Sequence, residues 1–512
     1  MKGKELYMKN KSLVFYLSVS LLMIIVLFGI FAPKLLEEWT GQLTAFISSS
    51  FGWYYLILVT VIALVCLYFL ISPVGMIKLG KQDDKPQFNR PTWFALLFSA
   101  GMGIGLVFWG TAEPLSHYAV SSPTGQEGAT QGMRDALRFT FFHWGIHAWA
   151  IYGLVALVIA YFTFRRGEKA LISASLRPLL GNRVDGGLGV AIDVIAVFAT
   201  VIGVATTLGF GVSQVNGGMS YLFGLPLNFW IQLAILVVVT VLFMISALTG
   251  IEKGIRILSN LNMILALILL LFVFIFGPTV AILNLYTDTL GGYIQNFFQM
   301  SFRIAPFNTE AREWIDGWTI FYWAWWISWA PFVGIFIARV SRGRSIREFV
   351  FGVLFLPSLV GFFWFATFGG TAMMYEHTGV AMLSNLAIEE SLFGVLANFP
   401  LSLIMSLLAL VLIAIFLITS ADSGTYVLGM MTTDGSQTPS TKIKLIWGIM
   451  VAAIALVLLY SGGLPALQNT MISAALPFSL IMLLMMISLL KALHKEAKEL
   501  GLGRIKKQPK MK

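Results

Sequence analysis

The stretch Gly317–Phe332 reads GWTIFYWAWWISWAPF, and five of the chain's 15 tryptophans fall between Trp318 and Trp329. Trp and Tyr collect at membrane–water interfaces. That belt is about one helical turn deep, whereas this run covers roughly 16 Å of helix at 1.5 Å per residue. A helix built on it carries indoles from the interface well into a membrane. Pro331, near its end, frees a backbone carbonyl because proline brings no N–H to the helix ladder.

The rest of the chain fits that setting. Hydrophobic residues make up 58% of 512 residues, charged residues only 11%, and the mean hydropathy is +0.84. So few charges cannot cover a soluble surface of this size. Apolar stretches of the roughly 20 residues a span requires recur along the chain. They predict twelve transmembrane helices, at 13–33, 52–76, 91–115, 136–163, 188–215, 226–249, 256–284, 317–338, 349–374, 396–430, 445–461 and 466–490. The formal charge of +10 invites a nucleic-acid reading, but its distribution argues against one. With both termini cytoplasmic, all but five of the 34 Lys and Arg fall inside; the exceptions are Lys34, Arg134, Arg138, Arg303 and Arg312. That is the positive-inside pattern, and no nucleic-acid partner is expected. The lone Cys66 lies inside the second span and has no intramolecular partner. No small-residue cleavage site follows Phe31, so the first span reads as an uncleaved helix.

The third span contains SAGMGIGLVFWG, with Gly101, Gly103 and Gly105 at alternate positions. Gly101 and Gly105 have the spacing of close helix packing; Gly103 lies on the opposite face. Three glycines at this spacing predict an unwound segment, since glycine weakens a helix interior. Five spans later Pro331 interrupts the eighth. Interruptions at corresponding positions of two five-helix halves predict an inverted-repeat transporter. Unwound backbone within lipid is tolerated only where it lines a cavity, so a solute site is expected there. The fourth span adds FFHWGIHAWAIY; on an ideal helix Trp144, Trp149 and Tyr152 cover an arc of about 140°. Trp323 and Trp326 lie within about 60° of each other, and Trp318, Trp325 and Trp329 within about 40° on a second face. Several aromatic faces arranged as a box attract a quaternary ammonium, at about 0.5–2 kcal/mol per ring. The competing reading is an aromatic packing core.

The stretches GWTIFYWAWW, GMGIG, TSADSG and SRGRSIREF, spread across nearly the whole chain, are similar to those of the betaine/choline/carnitine transporter (BCCT) family. The resemblance implies an all-α integral membrane protein with the LeuT-like inverted repeat of five plus five helices, preceded by two extra helices. The organisation is then a cytoplasmic tail 1–12, two helices over 13–76, repeats over 91–284 and 317–490 with an outside amphipathic helix 287–305 between them, and a basic tail 491–512. The implied activity is sodium symport of a zwitterionic quaternary ammonium solute, glycine betaine first, for osmoprotection at a bacterial plasma membrane, by a homotrimer. By the same resemblance Trp144, Trp149, Tyr152 and Trp326 form the ammonium box, and the carboxylate lies by Gly101, Met102 and Gly103. Phe108, Trp323, Trp325 and Trp329 line the routes in and out. Choline-selective relatives carry an aspartate where Gly105 stands, which favours a zwitterion here. Sodium is assigned to the hydroxyls of Thr419 and Ser420 with the carbonyls of Ser99, Met102 and Phe416. A second sodium site of the family matches Thr200, Val204 and Phe332; valine has no oxygen, so that site is expected to be weak or absent.

Other candidates carry less. His143 and His147 have metal-ligand spacing but no evident third ligand, and polar packing is expected. Asp193 is read as a cap near the cytoplasm, Asp422 as support for the hydroxyl pair or as a helix contact, and Glu113, before Pro114, as the end of the third span. The eight Lys and Arg of the tail suit anionic lipids, with osmotic regulation as the functional reading. No nucleophile–base pair or cofactor motif stands out, so neither an enzyme nor a cofactor other than the coupling ion is expected. A channel and a sodium-independent or proton-coupled carrier of choline or carnitine remain the alternatives.

Overall fold

The computed structural model describes residues 2–101, 103–249 and 252–502. Met102 and the end of the basic tail lie outside the described residues, as does the side chain of Ser99. Among the described residues there is no strand, only one isolated bridge between Lys78 and Ser345. Among the described residues ten helices are long and apolar enough to cross a membrane.

The chain runs α1 (Lys2–Phe31), α2 (Pro33–Ile71), α3 (Arg90–Gly101), α4 (Ile104–Ala119), α5 (Thr130–Trp144), α6 (Ile146–Ala160), α7 (Gly187–Phe223), α8 (Phe229–Thr249), α9 (Glu252–Phe276) and α10 (Thr279–Gln295). It continues with α11 (Phe321–Val340), α12 (Ile346–Thr378), α13 (Ser402–Thr432) and α14 (Thr441–Glu499). Burial divides these helices into two classes. In the most apolar windows of 130–165 and 309–340, 94% of residues are buried, against 22% for 229–247. α8 exposes Trp230, Val238 and Ile245, and α9 exposes Ile264 and Ile275. Apolar side chains facing outward on the periphery around an aromatic interior are what a lipid solvent selects.

Three breaks shape the bundle. The helix of the glycine triplet stops at Gly101 and restarts at Ile104, with Gly103 extended at φ −132°, ψ −144°. This is the unwinding that the alternating glycines predict. A second break, not expected, falls at Gly145 (φ −94°, ψ −142°) between α5 and α6. A Cβ there would lie 2.5 Å from the Phe141 carbonyl and 2.7 Å from the Phe362 ring. The third interrupts α14 at Gly462 and Gly463, the latter left-handed at φ 62°.

Other boundaries need correction. α11 runs unbroken through Pro331, so the expected interruption of the eighth span is not there; a wide π-helical turn at Ile315–Ile320 precedes it instead. The seventh span ends at Gly277–Pro278, and the helix read as 287–305 is α10 followed by a short turn, Phe297–Ser301. α4 continues through Pro114 to Ala119, so Glu113 does not end a helix.

α11 packs against α6 at the centre, and α4 packs against α12. Gly334 makes the first contact close: a Cβ there would lie 2.7 Å from Val155 Cγ1 and 3.2 Å from the Ala156 nitrogen. Gly291 on α10 has nothing within 4 Å. Overpacking a filled contact costs about 1–3 kcal/mol. Gly334→Leu is therefore expected to lower the thermal midpoint of the detergent-purified protein by several degrees, and Gly291→Leu to leave it unchanged. Equal midpoints would contradict this packing.

Candidate functional site

The site is a column of aromatic rings where α4, α5, α6, α7 and α11 meet. Phe108 of α4 stacks on Phe210 of α7 at 5.6 Å, and Phe210 meets Trp325 edge-on at 5.3 Å. Trp325 and Trp326 stack at 4.9 Å with their planes 9° apart. Trp144 meets Trp326 edge-on at 4.8 Å, Tyr152 meets Trp326 at 5.8 Å, and Trp149 meets Tyr152 at 5.7 Å. All four expected box residues thus join one contiguous cluster, each at most 4% exposed. The ideal-helix projection of Trp144, Trp149 and Tyr152 does not apply, because the Gly145 break re-aims Trp144 relative to the other two. Gly105 faces the same cluster: a Cβ there would lie 2.7 Å from Trp325 and 3.1 Å from Trp144.

The expected route residues divide between two faces. Trp325 donates its indole N–H to Thr207 Oγ1 at 3.3 Å. Trp329 lines a small cleft with Ile104, Val204, Thr207, Leu208, Leu417, Ser420 and Ala421. Trp323 lies on the other face, stacked on His147 and edge-on to Phe142.

The residue that organises the cluster is Glu113. It is fully buried in the middle of α4. Its Oε2 accepts the indole N–H of Trp144 at 2.7 Å and the hydroxyl of Tyr322 at 2.5 Å. Its Oε1 lies 2.7 Å from His143 Nδ1 and 3.3 Å from His117 Nε2. His143 Nε2 meets Thr319 Oγ1 at 3.0 Å, and the His143 carbonyl accepts the Trp326 indole N–H at 2.9 Å. Two of the four expected box residues, Trp144 and Trp326, therefore hang from one polar network. A buried carboxylate is tolerable only when its lone pairs are this fully occupied. His143 and His147 do not act as a pair, since His147 turns to Ser301 Oγ at 2.9 Å. Sequence reasoning missed Glu113, Tyr322 and His117 as members of this set. The signal available was an ionisable residue inside an apolar run, which marks function or a dedicated partner.

The expected sodium ligands split. Adjacent residues on a helix point about 100° apart. Ser420 faces the Gly103 break, its Oγ 3.7 Å from where a Gly103 Cβ would be. The Thr419 hydroxyl donates to Ile415 O at 3.0 Å, with Phe416 O at 3.3 Å, and accepts from Asn262 Nδ2 of α9 at 3.2 Å. Asn262 is 3% exposed, its Oδ1 has no hydrogen-bond partner, and it was not among the expected residues. At the expected second site Thr200 Oγ1 bonds back to Ala196 O at 2.7 Å, Phe332 packs on Trp329, and Val204 lines the cleft beside Ser420.

The two membrane aspartates have structural partners. Asp193 accepts the backbone N–H and the hydroxyl of Ser173 at 2.9 and 2.7 Å, holding the preceding loop. Asp422 accepts from Ser246 Oγ at 2.7 Å, which makes it a contact between α13 and α8.

Residues 13–498 match the family described as BCCT, betaine/carnitine/choline family transporter. The chain is 57% identical over 493 residues to the glycine betaine transporter OpuD of Bacillus subtilis, covering 96% of each chain. It is 43% identical to a probable glycine betaine transporter of Desulfitobacterium hafniense (95% of this chain, 98% of the relative). It is also 43% identical to the ectoine/hydroxyectoine transporter of Virgibacillus pantothenticus (95% and 97%).

Each buried polar group stranded by loss of its partner costs about 1–3 kcal/mol. Glu113→Leu strands Trp144, Tyr322 and both imidazoles, whereas Glu113→Gln keeps an acceptor oxygen. The Leu variant is expected to lose far more thermal stability in detergent than the Gln variant. If both match the wild type, the carboxylate does not hold the cluster.

Proposed function

The chain belongs to the BCCT family of transporters, and from that premise we propose that it takes up glycine betaine by sodium symport for osmoprotection. The observation that carries the reading is the cluster of Trp144, Trp326, Tyr152 and Trp149, contributed by three helices next to the break at Gly103. Electron-rich faces that converge from separate helices suit a trimethylammonium head. The carboxylate of the same solute is assigned to Gly101, Met102 and Gly103, beside the start of α4, where a helix N-terminus favours an anion. Gly105 brings no charge of its own to the cluster, which suits a zwitterion better than choline. Relatives named as glycine betaine transporters support this substrate. The relative named for ectoine supports a second reading, a cyclic zwitterionic compatible solute.

In this proposal 90–119 crosses the membrane once as a broken helix, and α14 crosses twice about Gly462–Gly463. The count is then twelve, arranged as two leading helices and two five-helix repeats, with both termini on the cytoplasmic face of a bacterial plasma membrane. Both interruptions fit this layout, because glycine breaks leave two arms each able to follow its own direction. Trimeric assembly, anionic lipids at the basic tail and the absence of any cofactor besides sodium belong to the same proposal.

Sodium is assigned to Ser420 and Thr419 with the carbonyls of Ser99, Met102 and Phe416. The Thr419 hydroxyl exchanges its Ile415 bond for the ion, and Asn262 steadies it. Hard cations take such oxygen donors. Val204 offers none, so one dominant sodium site is proposed.

Trp326→Leu keeps an apolar side chain but removes a π-face; losing about 1.4 kcal/mol lowers uptake tenfold at limiting substrate. Labelled betaine uptake into proteoliposomes is expected to fall at least that far, with Trp326→Phe retaining more. Normal uptake by both variants at equal protein abundance would remove the ring as a ligand wall.

The same vesicles test the coupling ion. A sodium gradient is expected to stimulate wild-type uptake with a Hill coefficient nearer one than two. Val204→Thr is expected to steepen the curve or raise the sodium affinity, and joint replacement of Thr419 and Ser420 by Ala to abolish stimulation. Two sodium ions per betaine in the wild type would contradict the role given to Val204.

A further inference from the structure

Glu113, His117 and His143 hold the aromatic cluster in place, and their donor set has a second capacity that this supporting role does not use. We propose that the three residues form a binding site for a divalent transition metal of the zinc, cobalt or nickel class, bridging α4 and α5. Two imidazoles and one carboxylate are a donor set that such ions prefer, whereas sodium, magnesium and calcium take oxygen ligands. Glu113 and His117 lie one helical turn apart on α4, and His143 meets them from the end of α5. One ligand atom from each of the three lies within 4.8 Å of the other two, and all three residues are buried. His143 Nδ1 is 2.7 Å and His117 Nε2 is 3.3 Å from Glu113 Oε1. Tetrahedral ligands about 2.0–2.1 Å from zinc stand roughly 3.3 Å apart, so changes of at most about 1.5 Å in these separations fit the set around an ion.

The surroundings are built for ligation. A metal-bound imidazole keeps its orientation through the hydrogen bond of its other nitrogen. His143 has that bond, from Nε2 to Thr319 Oγ1 at 3.0 Å. Glu113 has it through Oε2, which accepts from Trp144 and Tyr322 and leaves Oε1 to face the two imidazoles. His117 Nδ1 is buried without a hydrogen-bond partner, so no bond of that nitrogen has to be broken when Nε2 takes a metal. Its ring is held instead by Trp318 at 4.4 Å and Trp314 at 5.0 Å. Trp318 is only half-buried, so the cluster lies one side chain below the surface of the bundle.

The test uses tag-free, chelator-stripped, full-length protein in detergent, in potassium buffer without betaine, so its outcome is independent of the betaine and sodium readings. Equilibrium dialysis against zinc is expected to give one ion per chain, and cobalt in its place the intense visible bands of a low-coordinate nitrogen–oxygen site. His117→Phe keeps the packing on Trp318 and removes the ligand; it is expected to weaken zinc binding at least tenfold in protein that still runs as a folded, monodisperse species, with a thermal midpoint lowered by the loss of a Glu113 partner. His117→Gln provides a second variant should the Phe protein not fold. His377→Gln and His494→Gln, outside the cluster, are expected to bind as wild type does. No stoichiometric zinc on the wild type, or binding undiminished in the folded His117 variant, would overturn the site. Loss of zinc in the His377 or His494 variant instead would overturn it too.

Discussion

A carboxylate in the middle of a membrane-spanning bundle has to be fully engaged, and the geometry of this protein follows from how Glu113 meets that demand. Desolvating an ionised carboxylate is among the largest penalties a fold can incur. Four polar partners from three segments relieve it here: Trp144 at the end of α5 and Tyr322 in the first turn of α11 donate to it, and His117 one turn along α4 and His143 of α5 meet its other oxygen. Because the partners come from different helices, the bond network fixes how those helices sit relative to each other. Trp144 then has one orientation, and Trp326 is tied in through the His143 carbonyl. The aromatic cluster is in this sense an attachment to a polar centre.

The breaks serve the same end. Gly145 lets α5 stop at Trp144 and α6 begin at a new angle, so that Trp144 reaches Glu113 while Tyr152, with Trp149 against it, meets Trp326. No residue with a Cβ fits at 145 without pushing on Phe141 and Phe362. The Gly103 break brings the start of α4 against Ser420 of α13. Glycine thus sets both the wall of the cluster and its approach to the candidate ion site. Gly369 of α12 has a related role: Pro114 lies where its Cβ would be, within 2.3 Å, so α4 and α12 approach closely beside Glu113.

Much of this was legible in the sequence. Composition and recurring apolar stretches of span length are enough for a helical membrane protein, and alternating glycines at 101, 103 and 105 are enough for the first break. The tryptophan-rich run identified one wall of the site, and the fourth span supplied the other. What failed were inferences from single residues about helix continuity. Pro331 signals an interruption, but its helix absorbs it, as helices deep in a protein can when neighbours satisfy the freed carbonyl. Gly145, a lone glycine without companions, gave no comparable signal and is a true break. Glu113 looks like a helix end because Pro114 follows it; the partners that keep it inside, Tyr322 and His143, are distant in sequence and visible only once the helices are packed. Asn262, which donates to the Thr419 hydroxyl, is likewise distant from the Thr419–Ser420 pair in sequence and meets it only once α9 and α13 pack.

As proposed, the protein works as a carrier, in which one solute at a time is enclosed by the aromatic cluster. Counterflow tests it directly. Proteoliposomes loaded with unlabelled glycine betaine and diluted into a trace of labelled betaine, with equal sodium on both sides, should accumulate label transiently above its equilibrium level, because a carrier exchanges one molecule for another. A monotonic approach to equilibrium at the same rate with empty and loaded vesicles would mean a pore, and would contradict the account.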